Sequence, residues 1–401
     1  MATRIQADAD VRPTPAAPEP VAAPPWLPFA VPSIGEEEIA AVVRCLRSGW
    51  LTTGPVVAEF ESAFADYVGA KHALAVNSCT SALHLALEAV GVGPGDEVIT
   101  SPMTFTATAA VIEHLGARPV LADCDPRTLN VDPAEVAAQV TARTKAVLPV
   151  HFAGQACDMD ALQAIADEHG LALVEDAAHA LPTRHAGRLV GTIGDVTAFS
   201  FYVTKTITTG EGGMITTERD DLADRMRVMR LHGMNKDAWK RYAKGGSWSY
   251  DIVAPGFKYN LPDLLAAVGI PQLARSDQFR ARRAAIARAF DLGLAGVPGV
   301  RTPVVADPDG HAWHLYVIRI VAGELTIDRD AFIRELTERG IGVSVHFIPL
   351  HHHSYYRDRY GYAPADLPVA NEAFGQILSL PIYPKMDDAD VARVVQAVRD
   401  V

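Results

Sequence analysis

Short apolar runs alternate with amphipathic stretches along most of the chain. The runs that predict strands are 72–77, 97–100, 118–122, 145–150, 171–175 and 197–201. The stretches that predict helices are 34–47, 59–67, 80–92, 106–114, 133–140 and 160–169. Strands that alternate with helices in this way indicate an α/β fold with a mostly parallel sheet. Because ligands of such sheets bind beyond the carboxyl ends of the strands, site residues are expected directly after strands.

The pattern changes at Asp277, where a helix rich in Ala and Arg is predicted to continue to Leu292. Beyond it the sequence predicts strands over 313–321 and 342–347, a helix over 328–339 between them, and a last helix from Asp387. We therefore predict three parts. They are a disordered arm rich in Pro and Ala over 1–25, a large domain over 26–276 and a small C-terminal domain over 277–401.

Charge and composition narrow the functional classes. The 401 residues carry a formal net charge of −12, which argues against nucleic acid or an anionic membrane as partner, because binding there needs basic patches. The sequence has no apolar run of transmembrane length, and its N-terminus lacks the apolar core of a signal peptide. The four cysteines form no C-x-x-C pair. We therefore expect a cytoplasmic protein with reduced thiols.

The segment SFYVTKTITTGEGGM (200–214) places Lys205 just after a predicted strand and before three glycines. A lysine amine forms a Schiff base with an aldehyde when burial or nearby cations lower its pKa. Glycines permit close approach of the backbone. Taken alone, however, a lysine beside a glycine-rich turn is more often a solvated loop lysine.

The segment LALVEDAAHA (171–180) ends an apolar strand at Glu175 and Asp176. A carboxylate in this position can pair with the ring nitrogen of a pyridine cofactor and keep that nitrogen protonated. His179 lies three residues further on and could reach the same ring. The alternative interpretation is that Asp176 only caps a following helix.

Two further motifs also follow strands. In NSCTSAL (77–83), small polar residues precede a helix whose N-terminal N–H groups can bind a phosphate, although ordinary N-capping is an alternative. In TSPMTF (100–105), Phe105 is a candidate to stack on a flat cofactor, although it could be a plain core residue. A phosphate site, a stacking ring, a pyridinium partner and a Schiff-base lysine together predict pyridoxal 5′-phosphate (PLP) as cofactor.

These motifs resemble the DegT/DnrJ/StrS family of PLP-dependent sugar aminotransferases, and the resemblance extends from about Pro32 to the end of the chain. Other segments that carry it are SGWLTTGPVVAEFE (48–61), LHGM (231–234), PGFKYNLPDLLAAVG (255–269) and VHFIPLHHHSYY (345–356). It implies PLP fold type I, as in aspartate aminotransferase. In that fold the large α/β domain has a mostly parallel seven-stranded sheet, and the C-terminal domain is a smaller α+β unit.

The resemblance also implies roles for individual residues. Lys205 is the Schiff-base and proton-transfer residue, Asp176 pairs with the pyridine nitrogen, and His179 lies near the ring hydroxyl. Phe105 stacks on the ring. The residues implied to bind the cofactor phosphate are Ser78, Cys79, Thr80 and Ser200, with Lys258 and Asn260 reaching from the partner subunit of a homodimer. The residues implied to contact substrate are Trp50, Thr52 and His346.

The implied reaction moves an amino group from L-glutamate, which leaves as 2-oxoglutarate, to a nucleotide-linked keto sugar by a ping-pong mechanism. Many members read G-Y-N-Y-R where this chain reads GFKYN (256–260). It therefore stays open whether Lys258 or Asn260 contacts the phosphate. This variant and GWLTTGP resemble the members that form UDP-4-amino-4-deoxy-arabinose, which favours amination at carbon 4.

Other functions are weighed against this one. A carbon-3 aminotransferase of the same family, or a regulator that binds PLP or a sugar nucleotide, remains an alternative. The related sugar dehydratases carry histidine in place of Lys205, and a nicotinamide-dependent enzyme would need a G-x-G-x-x-G motif after a strand. The run of three histidines at 351–353 lacks the helical spacing of a metal site, so no metal is predicted.

Overall fold

The computed structural model describes residues 25–235, 249–321 and 323–401. The predicted disordered arm, up to residue 24, lies outside the described residues. The helices are α1 (Glu36–Ser48), α2 (Pro55–Val68), α3 (Cys79–Ala89), α4 (Ala107–His114), α5 (Pro133–Ala138), α6 (Met159–His169), α7 (Asp220–Met229), α8 (Asp263–Ala274), α9 (Ser276–Leu294), α10 (Arg329–Glu338), α11 (Ser354–Tyr360), α12 (Pro368–Gln376) and α13 (Asp388–Arg399).

The strands are β1 (His72–Val76), β2 (Glu97–Thr100), β3 (Arg118–Leu121), β4 (Thr144–Leu148), β5 (Ala172–Asp176), β6 (Arg184–His185), β7 (Arg188–Leu189), β8 (Val196–Ser200), β9 (Gly213–Thr217), β10 (Val300–Arg301), β11 (Tyr316–Ile320) and β12 (Ile377–Leu380). Seven of them form one sheet in the order β1-β9-β8-β5-β4-β2-β3. Within it β9 pairs antiparallel with β1 and with β8, while the pairs among the other neighbours are parallel. The carboxyl ends of β1, β2, β5 and β8 therefore meet at one edge.

Helices cover the large sheet because its strands are apolar on both faces. Strand β2 is buried at all four positions, and β5 at four of five. Near-continuous apolar strands are typical of parallel sheets that carry helices on both sides. The predicted α/β class with a mostly parallel seven-stranded sheet is confirmed.

The C-terminal region has a smaller antiparallel sheet in the order β10-β11-β12, with its own apolar core. Helix α9 connects the two cores, since Phe279 near its start packs in the core beside the large sheet and Phe290 packs in the C-terminal core. Leu27 also packs in the C-terminal core and bridges to Ile341. The domain boundary at residue 276 stays a prediction.

The predicted strand over 342–347 is wrong. Only Ser344 pairs with a neighbour, exchanging two backbone hydrogen bonds with Ser379 of β12 at 3.2 and 2.8 Å. Beyond it the chain leaves the small sheet and carries His346 and Phe347 to a cavity beside the large one. Val343 and Val345 alternate with polar residues because they pack on two different cores, not because they belong to a strand.

Candidate active site

A cavity of about 510 Å³ lies where the carboxyl ends of the strands meet. Nine of the residues that the sequence predicted for the site line it together. They are Ser78, Cys79, Thr80, Phe105, Asp176, His179, Ser200, Lys205 and His346. The expectation that site residues follow strands therefore leads to a single place in the fold.

Lys205 lies in a turn directly after β8, where its backbone N–H donates to the carbonyl of Tyr202 at 2.9 Å. Burial lowers the pKa of the Lys205 amine to about 8, although Cys79 and Asp176 act in the opposite direction. With that pKa, about a tenth of the amine is neutral at pH 7. The Lys205 amine is thus partly desolvated and lies near Cys79 and Asp176, so the interpretation as a solvated loop lysine fails.

Asp176 is the last residue of β5, and only 4% of it is exposed. The hydroxyl of Thr108 donates to its Oδ2 at 2.8 Å, and the N–H of Ala178 donates to its Oδ1 at 3.1 Å. Burial raises the pKa of the Asp176 carboxyl, while these hydrogen bonds and the charge of Lys205 oppose the rise. Donors aimed at both oxygens favour the ionised form. After Asp176 the chain makes a turn rather than a helix, so the capping interpretation fails.

Glu175 precedes Asp176 but faces away from the cavity, because successive strand residues point to opposite sides of a sheet. Its carboxylate accepts hydrogen bonds from the hydroxyl of Thr197 at 2.7 Å and from the N–H of Gly194 at 2.8 Å. Its other oxygen lies 3.0 Å from Nε2 of His151. Of the two carboxylates at the end of this strand, only Asp176 is presented to a ligand.

The start of α3 supplies hydroxyl and backbone donors. Ser78 is the N-cap, and its Oγ accepts the N–H of Ser81 at 3.1 Å. The capping interpretation is therefore correct, and it is compatible with a phosphate site, since the first N–H groups of a helix have no partner within it. A Cβ on Gly213 would lie 2.7 Å from the carbonyl of Ser78, so glycine is needed for β9 to pack against this turn.

Two rings differ sharply in burial. Phe105 is 64% exposed, which excludes the interpretation as a core residue and leaves its face available to a ligand. His179 is buried, and its Nδ1 has no hydrogen-bond partner among the described residues. Burial lowers the pKa of His179 far below its ordinary value, and the positive charge of Lys205 adds to the effect. The imidazole is therefore neutral.

The four remaining predicted residues lie outside the lining of this cavity and form a second group around Thr53. The Asn260 amide donates to Oγ1 of Thr53 at 2.5 Å, and the Lys258 amine donates to Oδ1 of Asn260 at 2.7 Å. Trp50 Nε1 donates to the carbonyl of Thr53 at 3.2 Å, and the carbonyl of Thr52 accepts the N–H of Asp263 at 3.2 Å.

The sequence reasoning missed several residues that line the cavity. Thr108 anchors Asp176, while Phe29 stacks on His346 with ring centroids 5.4 Å apart. His314 lies against His179 at 4.4 Å. A hydroxyl one turn after Phe105 was the one signal that pointed to Thr108. Nothing local marked His314 or Phe29, because both reach the cavity from distant parts of the chain.

The residues present fit PLP in both charge and chemistry. A half-buried lysine with a lowered pKa suits the aldehyde, a hydrogen-bonded carboxylate suits the pyridinium, and a capped helix start with hydroxyls suits the phosphate. Among the described residues, no group of three or more His, Cys, Asp or Glu side chains could hold a metal. All four cysteines are free thiols. In the part of the chain that the structure describes, no helix has the length and apolarity needed to cross a membrane.

Fold and site together define a PLP enzyme of fold type I, and comparison with known proteins agrees. A model of the DegT/DnrJ/EryC1/StrS aminotransferase family matches residues 32–399. The spore coat polysaccharide biosynthesis protein SpsC of Bacillus subtilis is 54% identical over 377 residues, which is 94% of this chain and 97% of SpsC. The chain belongs to the DegT/DnrJ/EryC1/StrS aminotransferase family.

Solved structures of other aminotransferases closely resemble the fold of this chain. The putative sugar aminotransferase Spr1654 from Streptococcus pneumoniae, in its PMP form, has a TM-score of 0.87 and 34% identity, covering 93% of this chain and 98% of Spr1654. PseC from Helicobacter pylori, an aminotransferase involved in the biosynthesis of pseudoaminic acid, has a TM-score of 0.86 and 29% identity, covering 94% of this chain and 98% of PseC. The protein is a PLP-dependent sugar aminotransferase, as the sequence predicted.

Proposed function

We propose that this enzyme transfers the amino group of L-glutamate to carbon 4 of a nucleotide-linked keto sugar, in a ping-pong reaction at a site shared between the subunits of a homodimer. The observation that carries the proposal is the placement of Lys205 and Asp176 on one cavity beside the capped start of α3. Donor and acceptor would use this one site in turn.

Each residue then has a defined task. PLP, when bound, supplies the carbon that accepts the amino group and a ring that withdraws electrons. Lys205 would hold the cofactor and, once released, its Nζ would take and return the proton of the substrate carbon. Asp176 would keep the ring nitrogen protonated, and Phe105 would pack on the ring face.

The surroundings of the cavity support a large acceptor. A second cavity of about 670 Å³ adjoins the first and shares Thr104, Phe105 and Phe347 with it. A keto sugar next to Lys205 could extend its nucleotide into this space. His346 lines the first cavity, where its Nδ1 lies 2.9 Å from Oγ of Ser379. We assign His346 to the sugar.

The second group of predicted residues supports a shared site. Lys258 is exposed and Trp50 is half-buried, and both lie outside the lining of their own subunit's cavity. In a homodimer the group formed by Trp50, Thr52, Lys258 and Asn260 would complete the partner's site, with Lys258 or Asn260 on the cofactor phosphate. Free thiols throughout agree with the cytoplasmic location that we propose.

The choice of carbon 4 rests on the G-x-K-Y-N variant and GWLTTGP. The likeness to SpsC, a protein named for polysaccharide biosynthesis, supports an amino sugar as product. A carbon-3 aminotransferase remains the second candidate, and a regulator that binds PLP and a sugar nucleotide without turnover the third.

The test is to incubate the PLP-loaded protein with L-glutamate and a panel of nucleotide-linked 3-keto and 4-keto sugars. Products are identified by mass spectrometry and the aminated carbon by NMR. We expect 2-oxoglutarate, a 4-amino sugar nucleotide and parallel double-reciprocal plots. Intersecting plots would exclude the ping-pong order. Exclusive use of 3-keto sugars would support the second candidate, and PLP binding without any transfer would support the third.

A further inference from the structure

His314 lines the cofactor cavity and is 5% exposed, yet neither the motifs nor the proposed reaction gives it a task. Its ring lies 4.4 Å from the ring of His179, tilted by 44°. Phe347 also stacks on His179, with centroids 5.6 Å apart and planes within 18°. The rings of His314 and Phe347, both from the C-terminal part of the chain, thus pack on the imidazole of His179, which lies just beyond β5 of the large sheet.

Ring packing restrains the orientation of the His179 imidazole. The orientation of a functional histidine is usually set by a hydrogen bond at one ring nitrogen. Here Nδ1 is buried and has no hydrogen-bond partner among the described residues. Since no hydrogen bond from a described residue orients the His179 ring at Nδ1, contact with the rings of His314 and Phe347 is the restraint that the structure shows on its angle.

The chain around His314 is held in place from several sides. Trp313 has a left-handed backbone, with φ of 52°, which is rare for a bulky residue and persists only where the surroundings impose it. The buried guanidinium of Arg283 on α9 donates to the carbonyls of Trp313 and His314, both at 3.2 Å, and of Ile382 at 2.6 Å.

The large domain holds the same segment. The N–H of Ala312 donates to the carbonyl of Gly154 at 3.0 Å, and the N–H of Leu315 donates to the carbonyl of Ala153 at 3.1 Å. A Cβ on Gly154 would lie 3.0 Å from the carbonyl of His179 and 3.2 Å from the amide of His314. Glycine at 154 thus permits the close approach that brings the two histidines together.

His314 acts as a neutral ring. Burial lowers its pKa far below the ordinary value, and the positive charges of Lys205 and Arg283 lower it further. Since Nδ1 of His314 has no hydrogen-bond partner among the described residues, neither charge nor a hydrogen bond at that atom explains its place.

We propose that His314 is a positioning residue, which fixes the imidazole of His179 by ring contact together with Phe347. The proposal rests on the proposed function, in which His179 lies beside the cofactor ring. A His179 ring that is held by packing depends on the shape of the side chain at position 314. An aromatic residue there should keep the orientation of His179, and a small residue should lose it.

The test compares His314→Ala and His314→Phe in the full-length protein. We expect His314→Ala to weaken PLP binding and kcat/KM by about 10- to 100-fold, the usual range for residues that orient a ligand group. We expect His314→Phe to keep PLP affinity and kcat/KM close to the wild-type values, because the phenylalanine ring preserves the aromatic contact with His179. Crystals of the apoproteins should show one orientation of the His179 ring in wild type and His314→Phe, and more than one in His314→Ala.

His351→Ala is the matched control, since His351 is 1% exposed, has neither ring nitrogen hydrogen-bonded among the described residues, and lies outside the cavity lining. It should lose stability as His314→Ala does but keep wild-type PLP affinity. If His314→Ala does not fold, Phe347→Leu removes the other ring and should give the same loss of His179 order.

Equal losses in His314→Ala and His314→Phe would overturn the proposal, because a ring nitrogen would then be required. Wild-type behaviour of both variants would overturn it as well. If wild type itself binds no PLP, the proposed function fails, and the order of the His179 ring in apoprotein crystals still decides the positioning role.

Discussion

The two walls of the cofactor cavity are built on different principles. On the wall formed by the large sheet, Asp176 accepts a hydrogen bond at each oxygen, and Lys205 is half-buried with an amine whose pKa is lowered. On the wall formed by the C-terminal part, His314, His346 and Phe347 present rings, and burial keeps both histidines neutral, the pKa of His346 falling to about 4. The sheet wall thus holds the charged groups to which we assign the chemistry, and the C-terminal wall shapes the space around them.

This difference predicts a hierarchy of mutational effects, with Lys205 at the top. Lys205→Ala removes both the cofactor tether and the proton carrier, and a positioned acid–base group alone contributes about 10²- to 10⁴-fold. We expect single-turnover amino transfer to fall by at least that factor. Lys71→Ala, which alters an exposed lysine paired with Asp220 at 2.7 Å, should be neutral. Retention of a tenth of the wild-type rate by Lys205→Ala would remove Lys205 from the mechanism.

Asp176→Ala should rank second. Removing one partner of a buried charge pair costs about 3–5 kcal/mol, which is a loss of about two to four orders of magnitude in kcat/KM when the pair acts in the transition state. The control is Asp123→Ala, since Asp123 is also buried and accepts the N–H groups of Val369 and Ala370 at 2.8 and 3.0 Å, away from the cavity. We expect that variant to lose stability while its folded fraction keeps the wild-type kcat. Near-normal turnover of Asp176→Ala would contradict the role.

The two walls also differ in how well the sequence predicts them. Residues of the sheet wall lie at or beyond the end of a strand, so local apolar runs made Asp176 and Lys205 candidates, and the four motifs together predicted their site. The prediction for β2 matches the observed bounds. Strand β9 was missed, since GMITT begins with a glycine, follows Gly212 and has no long apolar run. Its place in the sheet depends on pairing with β1 and β8.

The C-terminal wall was predicted poorly because its structure depends on distant contacts. The predicted strand over 313–321 begins only at Tyr316, since Trp313 turns the backbone into the left-handed region. A glycine at this position would have suggested a left-handed backbone, because glycine adopts positive φ readily. A tryptophan does not suggest it. The contact of His314 with His179 has no local signal at all, and it becomes visible only when both cores are packed.

The lowered pKa of Lys205 gives a third prediction, on pH dependence. Burial stabilises the neutral amine, so the reactive form is present at lower pH than for an ordinary lysine. We expect the rate at which the apoprotein captures PLP to rise about tenfold per pH unit below pH 8 and to level off above it. Stopped-flow absorbance measures this rate. A midpoint near the ordinary lysine value of 10.5 would show that burial does not tune the amine.

The smallest expected effect concerns Thr108, which connects the charged wall to its support. Its hydroxyl donates to Asp176 at 2.8 Å and lies 2.7 Å from the hydroxyl of Thr104, so the donor is held in place. Thr108→Val removes a hydrogen bond to the ionised form, worth about 1.5–3 kcal/mol. The pKa of Asp176 then rises, and the acid limb of the kcat/KM profile should move up by about one to two pH units, with about 10- to 100-fold lower activity on that limb. Thr108→Ser keeps the hydroxyl and should keep the profile. If valine leaves the acid limb where it is, the Asp176 charge depends on the N–H of Ala178 and on Lys205, and the sheet wall is less finely tuned than its geometry indicates.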